Sequence, residues 1–176
     1  AGPVFPAAVF QHLDLSWAAN RGLRDEVEAD GKGGWTDQGP DIDLRDFPTG
    51  RQDFGGIPFK IIDPGKNQGR SVIVLAGRDR PSFPKETLID AEGRRGAVLY
   101  FLHTCAWGGT SKKTTVAEYE VLYQDGEKAV VPLRVGVEFT NWWDIRRGDA
   151  CEVAWSHERR GIRRGINVFA WKNPRP

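Results

Sequence analysis

The sequence predicts an all-β fold: an antiparallel two-sheet β-sandwich of the jelly-roll kind, with little helix. Three observations carry this reading. Short apolar or alternating runs recur along the chain with no helical crossovers between them. Glycine (21 residues) and proline (11) punctuate those runs, as many short strands joined by turns require. Asp125-Gly126 stands between two strand-like runs and is the strongest short hairpin signal in the chain.

The elements follow in order. Helix signal is confined to residues 17–28, and Gly22 interrupts it. Residues 25–56, rich in Gly, Asp and Pro, read as one long irregular region, a feature that is usually functional inside a compact domain. Residues 57–62 read as a strand closed by Asp63-Pro64-Gly65, a turn with proline at its second position. Residues 71–75 form a short apolar strand and 97–105 a longer one. In 116–123 the pattern alternates, and Ala117, Tyr119, Val121 and Tyr123 form the expected core face. Residues 129–139, 151–155 and 166–171 complete the strands. Arg159, Arg160, Arg163 and Arg164 are the densest basic stretch; Gly161 breaks it and Glu158 abuts it, so it reads as a solvated loop.

Composition narrows the function. The 176 residues form one ordinary domain, large enough for a core without staples. Lys plus Arg is 25 and Asp plus Glu is 24, a balance that argues against a nucleic-acid partner. No apolar run approaches the ~20 residues of a membrane span. The first six residues, Ala1 to Pro6, carry no basic segment and no apolar signal core, and read as a processed terminus or a domain edge. Cys105 and Cys151 permit one bridge, with two buried free thiols as the preferred reading.

Enzyme signatures are mostly missing. The run Gly108-Gly109-Thr110-Ser111-Lys112 lacks the phosphate-loop spacing, and no serine sits in a Gly-x-Ser-x-Gly elbow. His12, His103 and His157 show no zinc spacing. His103 and Cys105 lie two apart on one strand, which separates their side chains by about 7 Å and prevents a direct dyad. A carboxylate pair for glycoside hydrolysis has no positive support among the 24 acids. The chain therefore reads as non-catalytic.

Seven tryptophans in one domain is a high count. A flat indole stacks on a pyranose face, but indoles also fill sandwich cores. Three clusters stand out. Trp35 lies in a glycine-rich stretch with Asp37 and Gln38, where ring, carboxylate and amide suit a sugar; a Trp plugging the core from a loop is the preferred alternative. His103 and Trp107 flank a strand end. Trp142 and Trp143 are adjacent on a strand end, so one points inward and the other outward. Trp155 and Trp171 read as core. The candidate carbohydrate-binding residues are Trp107, Trp142, Trp143, Trp35, Asp37, Gln38 and His103. Hard oxygen ligands also gather here, and Asn20, Asp25, Asp30 and Asp37 are the candidate ligands of one structural Ca²⁺, against the alternative of solvated loop acids.

These residues also carry a resemblance. Leu13-Asp14-Leu15-Ser16 with Asn20, Gly33-Gly34-Trp35-Thr36-Asp37-Gln38-Gly39-Pro40, Gly56-Ile57-Pro58-Phe59, Ile62-Asp63-Pro64, Leu102-His103-Thr104 with Trp107, Trp142-Trp143 and the closing Trp171-Lys172-Asn173-Pro174 resemble a β-jelly-roll module of bacterial polysaccharide-degrading proteins. The pattern is similar to the galactose-binding-domain-like carbohydrate-binding modules and spans nearly the whole chain. It implies a single module over residues 1–176, excised from a larger multidomain protein and located outside the cell or in the periplasm. It implies two sheets, often one structural calcium ion, and sugar binding by loops at one end. The partners it implies are a polysaccharide or oligosaccharide and the catalytic domain of the parent protein. Two rivals remain: an accessory domain without a sugar site, and a jelly-roll polysaccharide lyase using His103 and a tyrosine.

Overall fold

The structure, a computed structural model, describes residues 8–176; the reading of Ala1 to Pro6 falls outside the described residues. Among the described residues there are seven strands: β1 (Gly50–Phe54), β2 (Ile57–Ile61), β3 (Val98–His103), β4 (Thr115–Leu122), β5 (Lys128–Arg134), β6 (Cys151–Arg159) and β7 (Ile162–Lys172). Every pairing between them is antiparallel. The one helical element among the described residues is a single 3-10 turn, Pro64–Lys66, capped by the Asp63 carboxylate, which accepts from the Gly65 N–H at 2.9 Å. The all-β, antiparallel expectation is met, and the helix signal at 17–28 gives no helix, only turns, bends and isolated bridges at Arg21 and Gly22.

The strands form three sheets: β1–β2, β3–β7–β6 and β4–β5. The three-stranded sheet is the centre. On one face, Tyr119 of β4 stacks on Phe101 of β3 with centroids 4.0 Å apart and planes at 11°. Val131 of β5 joins Phe169 and Cys151 in the same apolar cluster. This is the packing of one sheet on another that a sandwich requires. Across the opposite face, the β1–β2 hairpin brings Phe54 and Ile57 to Tyr100, Val153, Val168 and Ala170, leaving a shallow cavity of about 230 Å³ between them.

The β4 alternation holds: Ala117, Tyr119 and Val121 are partly buried between exposed neighbours. Asp125-Gly126 turns the chain, with the Gly126 N–H donating to Tyr123 O and the Tyr123 N–H to Glu127 O. Other expectations need correction. Residues 71–75 make only an isolated bridge, Arg21 to Val72, not a strand. The Asn20 side chain takes both backbone groups of Val74, and Gly22 pairs with Gly33 instead, so the ladder ends after one step. The fifth strand stops at Arg134, because the Glu138 carboxylate accepts its N–H and folds 135–139 back on Gly136, which has φ 85°. The basic stretch 159–164 is no solvated loop. β6 and β7 run on into a two-residue turn at Arg160 and Gly161, both with positive φ. Arg164 consequently points inward and is 3% exposed.

The main core cluster joins Leu23, Leu44, Phe47, Phe54, Trp142 and Ile166, with Trp35 and Trp155 packed against it. Half of its members come from the irregular region 17–49, so that region is a layer of the core. Asp43 organises it from within. Its buried carboxylate accepts the N–H groups of Asp25 and Arg45 and the Arg45 guanidinium. A buried carboxylate satisfied in this way avoids the desolvation penalty of an unpaired charge.

Candidate functional site

The tryptophans separate by position. Trp142 is 1% exposed and is a core residue, so it cannot serve in a surface platform. Trp143 is 42% exposed and lies against it with centroids 5.7 Å apart. The inward–outward split expected of adjacent residues is therefore realised, with Trp142 the inward member. Trp35 is also structural: it stands against Trp142 and packs on the main core, with its Nε1 buried and without a partner. Trp155 and Trp171 pack on core clusters as expected. Trp107 is 47% exposed, at φ 55°, and the Arg80 guanidinium lies over its ring at 5.1 Å.

The loops that carry Trp107 and Trp143 are tied together. The Asn141 amide accepts from the Gly108 N–H at 3.1 Å and donates to Gly109 O at 3.0 Å. The Trp142 N–H donates to Cys105 O at 2.9 Å. Asn167 secures the same segment from beneath. It is fully buried; its Oδ1 accepts from the Thr140 N–H and hydroxyl, and its Nδ2 donates to Arg146 O and Glu152 O. All four hydrogen-bonding positions of that amide are used. Sequence reasoning missed Asn141, Asn167 and Arg80, since nothing local marks an asparagine whose partners lie far along the chain.

His103 does not belong to a binding surface. Its Nε2 donates to Glu138 O at 2.9 Å, which leaves Nδ1 to accept from the Tyr119 hydroxyl at 3.0 Å. Its ring is parallel to Phe169 and close to Phe139. Burial lowers its pKa to about 4, against a smaller raising effect from the Glu138 carbonyl and charge, so the imidazole is neutral at neutral pH. Burial pushes the Tyr119 hydroxyl well above its ordinary range. The histidine–tyrosine pair of the lyase rival exists, but within the packed layer between sheets. Both cysteines are free, and burial raises the Cys105 thiol to about 12 and the Cys151 thiol to about 11. Thiols so shifted are poor nucleophiles.

The acidic residues divide as well. Both ends of the Asn20 amide are engaged by the Val74 backbone. Asp25, Asp30 and Asp37 come together, each offering an oxygen within 4.8 Å of the others, and form a group able to hold a metal ion. Asp25 is buried; its Oδ2 accepts from the Gly39 N–H, while its Oδ1 is buried without a hydrogen-bond partner among the described residues. Asp37, at φ 54°, accepts from the Gly31 N–H, and Asp30 accepts from the Lys32 N–H. The glycines beside this group are required by space. A Cβ on Gly33 would lie 2.8 Å from Arg24 O, and one on Gly34 2.8 Å from the Asp25 Cβ. Gln38 lies beside Asp37, partly buried, with its Oε1 unpartnered.

No protein-family model matches the chain, and neither the curated proteins nor the solved structures yield a match. No helix among the described residues is long and apolar enough to cross a membrane.

Proposed function

We propose that this domain is a non-catalytic carbohydrate-binding module that directs a glycan-degrading enzyme to polysaccharide outside the cell or in the periplasm. One observation carries the reading: two half-exposed indoles, Trp107 and Trp143, are held on neighbouring loops that Asn141 ties together. An indole left open to water and fixed from below offers a flat apolar platform without the entropy of ordering it on binding. A pyranose presents C–H groups to such a platform and hydroxyls at its rim. A site of one or two aromatic contacts binds weakly, and attachment to a parent enzyme raises its effect through effective concentration. Affinity electrophoresis on a polysaccharide panel tests this. Trp107→Ala and Trp143→Ala should each reduce retention on the responsive glycan while the fold persists. If the native domain is retained by no glycan, the reading is wrong.

The same domain binds one structural Ca²⁺ through Asp25, Asp30 and Asp37. The buried, unpartnered Asp25 Oδ1 supports this, because an orphaned carboxylate oxygen beside two further carboxylates is costly unless a cation compensates it. Hard oxygen donors of this kind suit Ca²⁺, and water and backbone carbonyls would complete its six to eight ligands.

A second reading has one observation in its favour. Val9, Phe10, Leu13, Leu15 and Trp17 are all substantially exposed, Trp17 at 62%. Such an apolar segment fits an accessory domain packed on a catalytic partner. It predicts that mutation of Trp17 impairs association with that partner and leaves glycan retention unchanged.

A further inference from the structure

We infer that the Trp107 face selects anionic glycans, with Arg80 receiving a carboxylate or sulfate ester of the sugar stacked beside it. The inference rests on the carbohydrate-binding reading and specifies its ligand. Arg80 lies over Trp107 and has no carboxylate within 4.0 Å among the described residues. Its Nη1 and Nη2 donate only to the neutral carbonyls of Asp79 and Thr36, at 3.0 and 2.8 Å, and its Nε is buried without a partner. The adjacent Asp79 carboxylate is engaged by Arg78. The guanidinium is thus positioned by two hydrogen bonds while its charge stays uncompensated. Each Nη still carries a second N–H.

The neighbouring tryptophan repeats the arrangement. Arg164 lies over Trp142 at 5.6 Å, is almost fully buried, and its Nε and Nη2 have no partner. By contrast, Arg175, over Tyr123, is paired with Asp125. The two guanidinia stacked on tryptophan both lack a paired counter-ion among the described residues, and the tryptophans are linked through the Trp142–Trp143 contact and the Asn141 tie. Arg164 is buried with Trp142 and faces Asp41, Asp43 and Asp46, so the charge that the exposed Trp107 face presents is that of Arg80. A neutral sugar leaves that charge unanswered. A uronate or sulfated sugar answers it, and a planar guanidinium suits either oxyanion.

The test compares polymers of related backbone and different charge: neutral galactan, polygalacturonate and a sulfated galactan, each by affinity electrophoresis and by calorimetry on its oligosaccharides. The native domain should hold at least one anionic polymer about tenfold more tightly than the neutral one, an advantage that shrinks as salt is added. In Arg80→Met the anionic-to-neutral ratio should fall toward one, and in Arg80→Lys it should fall less. A ratio within one variant is insensitive to partial loss of fold, and melting curves check the fold directly. Response to polygalacturonate alone assigns the carboxylate, and response to sulfated galactan alone assigns the sulfate. Equal retention of neutral and anionic polymers, or an unchanged ratio in Arg80→Met, overturns the inference and leaves the binding module standing. Retention of no polymer overturns both.

Discussion

Trp35 and Trp142 meet edge to face, with centroids 5.1 Å apart and planes at 70°. Their contact joins the glycine-rich loop to the segment after β5, two parts of the chain more than a hundred residues apart. It makes the loop indole a plug of the main core, and it makes Trp142 the support on which Trp143 rests.

Adjacent residues should therefore differ sharply on mutation. Trp142→Ala removes a buried indole and should destabilise the domain by about 3–5 kcal/mol. Trp143→Ala removes a half-exposed one and should destabilise by about 1 kcal/mol or less. Urea denaturation of both variants decides this, and comparable losses at both positions would contradict the assignment.

Asn167 should be intolerant even of isosteric change. Asn167→Asp keeps the acceptor for Thr140 but loses both donors and sets a carboxylate against the carbonyls of Arg146 and Glu152. Leaving buried carbonyls unsatisfied costs about 1–3 kcal/mol each. The variant should unfold at markedly lower urea concentration and, because Asn167 secures the Trp143 segment, should also weaken glycan retention.

Calcium should stabilise the domain by mass action. At a hundredfold excess over its dissociation constant the ion contributes about 2.7 kcal/mol, which raises the melting temperature of a domain this size by roughly 5–10 °C. Chelation with EDTA should reverse the increase. In Asp25→Asn, which keeps an acceptor for the Gly39 N–H, calcium should have little effect. A melt of the native domain indifferent to both calcium and EDTA would refute the site.

The pH dependence of stability should carry a signature of His103. Its pKa lies near 4 in the folded protein, against the ordinary histidine value of 6.5, so between these two values the unfolded chain binds more protons. Stability attributable to His103 is full above about pH 6.5 and is lost as pH falls toward 4. The loss approaches roughly 3 kcal/mol, each tenfold change in proton affinity being worth about 1.4 kcal/mol. Denaturation across this range should show a shallower acid slope in His103→Gln than in the native domain. Identical slopes would mean that His103 is not neutral and buried as found.

Much of the fold was legible in the sequence because strands announce themselves locally. Alternation in 116–123 and the Asp125-Gly126 pair are short-range signals, and β4, its turn and the start of β5 follow them. The strand expected at 57–62 is β2, but its partner β1 was missed inside the region 25–56, although Asp53-Phe54-Gly55-Gly56 held a turn signal. Its flanking residues are too mixed in polarity for the period of a strand to show. The residues of 71–75 had strand propensity but found only Arg21 to pair with, so propensity without a partner ended in a single bridge.

The sequence by itself determined the all-β class, the antiparallel hairpin at Asp125, the inward–outward split of the tryptophan pair and the three acidic residues, Asp25, Asp30 and Asp37, that converge. Only the tertiary structure decided which indole of that pair faces water, that His103 is sealed between Tyr119, Phe139 and Phe169, and that the Asn20 amide is engaged by Val74. It also decided that Arg80 and Arg164 lie on tryptophans, neither within 4.0 Å of a carboxylate among the described residues. The physical reason is range. Turns and strand periodicity arise from neighbours within a few residues, whereas burial, hydrogen-bond partnership and charge compensation are set by groups that meet only when distant segments pack.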